Sequence, residues 1–499
     1  MKTDPAEHAV LALFCSAFVW MCAAQWPGLH WDAACYAPPI LSAARGEGFA
    51  AAAYPSWNIR LEGTQTHHGL LACLLYGQVL ECSDWERLLF CYGFVNAGTC
   101  FVWWWIFSRQ KYLGVWNGWK PAAIMAGVAA GCLGVGLQGR PEHPAIVIAG
   151  IPFLLTSGSL IVRLCVLGVT TGLLFCCSPS AGVLGAAGVC LFLALRPDFS
   201  EQLFWKRFCL TGLLGISTFG CTTLLMPISL TEWLVSFARA SQSTLDFSSH
   251  LVRFQNGGLW GTSILAPFWN VAVIFYFSAI SGLMFLRRRW SPLIVFWIIA
   301  LKHYHVFTDY GYACGLLPLL RIFLALAAAT PLRSTPPQYP RIIRVASFVW
   351  LGSFLMVFVQ YFTEAIAYCQ LPAVRPQIIQ LFEQSSPDEG TPVPVIAFVA
   401  STQQSYVAVG QGRTDFVPVA ENAVDGNWTA DEKIYFEKRK AVPVFLMAPP
   451  ELVRDREELS IDGVAYRKYC QDVSSAHGLA FFRPRRVGYG FIAYRKTAQ

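Results

Sequence analysis

From Met1 to about Gln370, long apolar runs alternate with short polar breaks. A helix needs about 20 apolar residues to cross the hydrocarbon core of a bilayer. Runs near 9–25, 88–107, 121–137, 145–157, 164–177, 181–195, 208–227, 263–286, 290–301, 313–330 and 345–366 predict about eleven spans. The stretch 145–177 reads either as one long tilted helix or as two helices joined at Thr156-Ser157-Gly158-Ser159. From Leu371 to Gln499 the pattern changes to charges, turn residues and short alternating segments. Residues Pro392 to Val399 and Ala441 to Met447 read as buried strands, and Gly478 to Lys496 as two strands around Pro484-Arg485-Arg486. The predicted fold class is therefore an α-helical polytopic membrane protein, with a transmembrane region over 1–370 and a soluble α/β domain over 371–499.

Charge orients the spans. With eleven spans and an inner N-terminus, the inner loops hold 14 Lys and Arg in 56 residues; the outer loops hold 7 in about 120. That is the positive-inside bias. Merging 145–177 into one span would put Arg287, Arg288 and Arg289 outside, so the two-span reading is retained. The C-terminal domain then lies outside the cytoplasm. The expected location is a bacterial inner membrane, with a cytoplasmic N-terminus and a periplasmic C-terminal domain. The first run lacks a small-residue cleavage site and reads as a retained signal anchor.

Composition sharpens this picture. The chain of 499 residues is 55% hydrophobic and only 13% charged, about half the charge of a soluble domain. A net charge of +7 has the sign that nucleic acid attracts, but the basic residues sit between apolar runs, as membrane-flanking cations do, so no nucleic-acid partner is expected. Most of the 17 cysteines lie inside apolar runs, where the residue behaves as a small apolar group. There is no CxxC pair to suggest a zinc ribbon or a thioredoxin motif. Asn427-Trp428-Thr429 forms a sequon that reads as a chance match.

The unusual polar residues fall on the outer side. The long first outer loop, 26–87, contains a short helix over 32–44 with Asp32 at its N-cap and an apolar stretch, 69–80, that suits a helix lying at the membrane interface. His67 and His68 stand just before that stretch. Gly139-Arg140-Pro141-Glu142-His143-Pro144 separates spans 3 and 4. Lys302-His303-Tyr304-His305 and Asp309-Tyr310 fall in a loop, 302–312, between spans 9 and 10. Arg239, Asp246, His250 and Arg253 lie in the loop 228–262. Such a distribution suits an interfacial site better than a conduction path.

In order along the chain, Trp31-Asp32-x-x-x-Tyr36-Ala37, His67-His68-Gly69-Leu70-Leu71, Arg87-Leu88 and Gly139-Arg140-Pro141-Glu142 resemble the GT-C superfamily, the polyprenyl- or dolichyl-phosphate-sugar-dependent glycosyltransferases that include protein mannosyltransferases and lipid A aminoarabinose transferases. Members often carry a soluble outer domain after the last span. The resemblance covers about the first 145 residues by motif and the whole chain by architecture. Ala33 stands where some members have a second acidic residue, and Gly69 where they have proline.

The resemblance implies an enzyme that transfers a sugar from a polyprenyl-phosphate donor to a lipid, glycan or protein acceptor. Asp32 would be the general base, with inversion at the anomeric carbon. Cations near the leaving phosphate would stabilise its growing charge, and Arg140, Lys302, His67, His68 and His303 are the candidates. Glu142 would hold Arg140 or bind sugar hydroxyls, Tyr36 and Tyr304 would contact the sugar, and Asp309 completes the set. Each residue has a plainer reading: Asp32 as a cap only, Arg140 as a headgroup anchor, Glu142 as its ion-pair partner, Lys302 as a snorkelling span end, and the histidines as ordinary interfacial residues. No metal ligand set and no cofactor are assigned, and a divalent metal stays open. The competing class is a polytopic transporter or lipid flippase, which would favour inverted repeats and polar groups at midplane.

Overall fold

The computed structural model describes isolated positions between 9 and 44, then 70–83, most of 87–98, 144–154, 159–225, 231, 234, 238, 278, 280–309, 366, 393–399, 416–419, 421–438, 440–448, 450–453, 456–478 and 485–497. Statements of structure below concern these residues.

The predicted interfacial stretch is a helix, α1 (Leu70–Val79). Its last seven residues take the wider π winding, and the Leu80 N–H reaches the Leu75 carbonyl at 2.9 Å. The chain then returns as helix at the described positions from Arg87 to Gly98. Tyr76 of α1 meets Tyr92 edge-on, with ring centroids 4.9 Å apart. Ile40, Leu70, Cys73, Cys82, Leu88 and Cys176 complete a buried cluster around them.

The stretch 145–177 resolves into two helices, α2 (Pro144–Leu154) and α3 (Leu160–Cys177). Ser159 starts α3 by accepting from the Val162 N–H at 3.4 Å. The turn into α4 (Pro179–Ala194) is a single residue, Ser178. Its N–H closes α3 on the Leu174 carbonyl, and its hydroxyl accepts from the Ala181 N–H at 3.1 Å. Pro179 at the first helical position has no N–H to leave unpaired. One serine thus caps two antiparallel helices.

The next helix, α5 (Glu201–Leu224), begins earlier than the predicted span at 208–227 because Ser200 caps it and Glu201 suits the positive end of its dipole. It lies so close to α3 that a Cβ added at Gly172 would sit 2.4 Å from the Gly215 carbonyl oxygen, and one at Gly168 would sit 2.9 Å from that of Thr211. Backbone approach through small residues is the usual way helices associate in lipid. The hydroxyls of Thr171, Thr211, Thr218 and Thr222 are satisfied by carbonyls one turn back, at 2.8 Å each. Large apolar side chains point the other way: Leu213 is 62% exposed, Ile216 69% and Leu224 85%. Helix α5 therefore hides threonine and glycine and presents leucine and isoleucine, which suits a lipid surround. By length and apolarity, α3 is the one helix able to cross a bilayer among the described residues.

A correction concerns α6 (Trp290–Asp309). The predicted span stopped at 301, and Lys302 to Asp309 were assigned to a loop. The helix instead continues through Asp309. Polar side chains do not end a helix, and no Gly or Pro occurs after Pro292 until Gly311.

The C-terminal region is a six-stranded mixed sheet in the order β2-β1-β3-β6-β5-β4. β1 (Val393–Val399) runs parallel to β2 (Phe416–Val419) and β3 (Ala441–Ala448). Residues Val395 to Val399 are all buried, as expected of a parallel strand covered on both faces. Helix α7 (Ala430–Lys438) packs Tyr435 and Phe436 into that core. Thr429 starts it with a capping box: the Thr429 N–H donates to the Glu432 carboxylate at 2.7 Å, and the Glu432 N–H to the Thr429 hydroxyl at 3.3 Å. The sequon threonine therefore already has a structural role. After a short α8 (Pro450–Val453), β4 (Glu458–Ile461) turns through Asp462-Gly463, both at positive φ, into β5 (Val464–Gly478). That pair is the favoured two-residue hairpin turn. β6 (Arg485–Lys496) pairs antiparallel with β5 and β3. The expected turn at Pro484-Arg485-Arg486 is displaced, since Arg485 and Arg486 are already in β6, opposite Gly478 and His477. Two buried tyrosines tie the strands to the frame: Tyr466 donates to the Pro443 carbonyl at 3.0 Å and Tyr494 to that of Arg456 at 2.7 Å. Burial raises the pKa of the Tyr466 phenol.

Candidate functional site

Asp32, Tyr36, His67, His68, Arg140 and Glu142 lie outside the described residues. The structure places the elements beside three of these groups. α1 begins at Leu70, two residues after His68, and is held against the helix that follows Arg87 by the tyrosine pair. α2 begins at Pro144, two residues after Glu142 and four after Arg140, so that segment leads into a helix N-terminus. Asp32 and Tyr36 precede Ile40, which belongs to the same buried cluster as α1.

Lys302, His303, Tyr304 and Asp309 are helical in backbone, in the second half of α6. At about 1.5 Å per residue, Lys302 stands about 18 Å and Asp309 about 28 Å along the axis from Trp290. No group of three or more metal-ligating side chains occurs among the described residues.

The best-defined charged constellation lies where α4, α5 and α6 approach one another at the loops assigned to the inner side. Asp198 accepts from Arg196 at 2.6 Å and from Arg207 at 2.8 Å. These two hydrogen bonds hold its carboxyl down to about 2. The Arg289 guanidinium stacks 3.9 Å over the Phe199 ring. Partial burial, and Arg287 beside it, lower its pKa. The Ser291 hydroxyl donates to the Glu201 carboxylate. These contacts fasten the start of α5 to the start of α6. Their carboxylates are engaged with cations or a hydroxyl, which fits a structural latch better than a reaction centre. Their positive balance agrees with membrane-flanking cations.

The sequence reading had missed one pair of side chains altogether. The Cys82 thiol, buried behind α1, lies 3.4 Å from the Cys91 thiol on the following helix. Their spacing of nine residues carries no motif, and only the packing of α1 reveals the proximity.

No protein-family model matches the chain, and no curated protein matches it. Among solved structures, it is similar to the Archaeoglobus fulgidus oligosaccharyltransferase, solved as a complex with Zn and sulfate. The identity is 13%, the match covers 89% of this chain and 68% of that one, and the TM-score is 0.45.

Proposed function

We propose that the chain is a membrane glycosyltransferase of the GT-C kind, moving a sugar from a polyprenyl-phosphate carrier to a lipid, glycan or protein acceptor at the outer face of a membrane. The observation that carries this reading is the order of polar groups in the first 145 residues: Asp32 ahead of Tyr36, His67-His68 ahead of an apolar helix, Arg87-Leu88 at the next helix, and Arg140 with Glu142 ahead of α2, all on the side poor in Lys and Arg. The chemistry needs such a set. The donor's isoprenoid tail stays in the bilayer, so the reacting carbon is met at the interface. Asp32 takes the proton of the attacking acceptor hydroxyl. The bond from the anomeric carbon to the phosphate oxygen breaks on the opposite face, and the configuration inverts. Arg140 has the planar fork that can hold two phosphate oxygens of the departing carrier. Lys302, with His67, His68 and His303, adds positive charge, while Glu142 orients Arg140. Tyr36, Tyr304 and Asp309 contact the sugar. Apolar outer faces such as that of α5 suit a donor that arrives through lipid.

General-base assistance contributes roughly 10²–10⁴-fold. Purified protein offered a panel of polyprenyl-phosphate sugars is expected to release polyprenyl phosphate from one of them, and Asp32→Asn to slow that release by about this factor without loss of folded protein. Equal rates for the two forms would remove Asp32 as the base. No release from any donor would favour the transporter.

A further inference from the structure

The apposed thiols of Cys82 and Cys91 are used by nothing described so far. The backbone pins Cys82 behind α1, its N–H donating to the Tyr76 carbonyl at 2.8 Å. Cys91 is next to Tyr92, which meets the same Tyr76 edge-on. The two thiols therefore sit on either side of one packed contact. Their separation of 3.4 Å exceeds a disulfide bond of about 2.05 Å by little more than an ångström, a gap that side-chain rotation can close. Both belong to the first outer loop or the first turns of the helix after it, on the side assigned to the outside. Extracytoplasmic compartments are where disulfides form and persist.

We propose that Cys82 and Cys91 form a disulfide in the cell, fastening α1 to the helix that begins at Arg87. The proposal rests on the outward placement of residues 26–87 used in the proposed function. Chemically, the two thiols lose two protons and two electrons as the sulfur–sulfur bond forms. An extracytoplasmic disulfide oxidant accepts the electrons and is reduced to a dithiol. The bond fixes the helix that starts two residues after His68, and so holds the approach to that histidine pair. Among the described residues, Cys73 and Cys176, buried in the same cluster, have no such thiol contact.

The test is a peptide map of full-length protein from cells quenched with an alkylating maleimide. Trypsin cuts at Arg60, Arg87 and Arg109, giving peptides 61–87, with Cys73 and Cys82, and 88–109, with Cys91 and Cys100. The expected result is a reducible link between these two peptides, absent in Cys82→Ala and in Cys91→Ala but retained in Cys73→Ala and Cys100→Ala. Alkylated Cys82 and Cys91 in the native protein overturn the proposal, a result that needs no variant to fold. A parallel sample carries Gln78→Cys, at an exposed position of α1, in a Cys82→Ala, Cys91→Ala background, and is treated with a membrane-impermeant maleimide. Labelling there, with free thiols in the native protein, removes the disulfide and leaves the outward site standing. Labelling from the cytoplasmic side only removes both.

Discussion

The helical region and the C-terminal sheet domain arrange the same residue types in opposite ways. In the sheet, Val395, Ile396, Phe398, Leu446 and Met447 are buried, while charge lies outside, as in the Lys433–Asp462 pair at 2.9 Å. In α5, Thr211, Gly215, Thr222 and Thr223 are inside and Leu213, Ile216 and Leu224 outside. Water rewards burial of apolar area. Lipid gives no such reward, so helices associate through close backbone contact and satisfied hydroxyls. The contrast suits a lipid surround for α5 and water for the sheet, although by length and apolarity α3 is the helix able to cross a bilayer among the described residues.

The comparison can be broken by placing the same charge in both regions. Ile396→Asp in the sheet core should be the most damaging change, at about 4 kcal/mol or more, because it buries a carboxylate with no partner. Loss of protease resistance in the C-terminal domain is the readout. Ile216→Asp should lower membrane insertion of α5 by about 2.5–3.5 kcal/mol on a translocon-insertion scale. A neutral result would mean that this face meets water. Smaller is the effect of Gly172→Val, whose first added carbon would strike the Gly215 carbonyl. It should destabilise the α3–α5 pair by about 1–3 kcal/mol, read as a lower melting temperature in mild detergent. Gly212→Ala on α5, with open space around it, should be neutral or slightly stabilising.

Two further tests concern local anchors. Thr429→Ala removes the hydroxyl half of a capping box and should destabilise the sheet domain by about 1 kcal/mol. A small effect is expected at Asp198. Its folded-state pKa, near 2, is below the usual carboxylate value of about 3.9. Its ion pairs therefore stabilise the protein fully above about pH 4 and are lost as pH falls towards 2. Because the side chain is 41% exposed, solvent screening limits the contribution to under about 1 kcal/mol. Asp198→Asn should flatten that part of the acid-unfolding profile.

Which elements were legible in the sequence follows from how local their determinants are. The break between α2 and α3 and the parallel strands β1 and β3 could be read directly, because apolar runs there meet serine, glycine or proline breaks. The polarity at Lys302-His303 predicts a boundary where α6 in fact continues, because helices end at caps and breakers. β5 was missed because Tyr466-Arg467-Lys468 and Gln471-Asp472 make it too polar to stand out. Asp462-Gly463 was the available signal for its start. The proposed site is legible in the sequence alone, through the order of Asp32, Tyr36, His67, His68, Arg140 and Glu142. On α6 the structure replaces the predicted loop at Lys302 to Asp309 with helix. Cys82 and Cys91 are a tertiary fact, created by α1 folding back on the next helix, and no spacing rule would have found them.

The central claim is that Asp32 and the C-terminal sheet share the outer side, opposite the loop between α4 and α5 that packs Phe199 against Arg289. It is tested most directly by introducing single cysteines at Asp32, at exposed Asp425 and at exposed Ser200, and treating intact cells with a membrane-impermeant maleimide. The account predicts a gain of labelling at positions 32 and 425 and none at 200 until the membrane is opened. Labelling of position 32 only together with position 200, after opening, would contradict it.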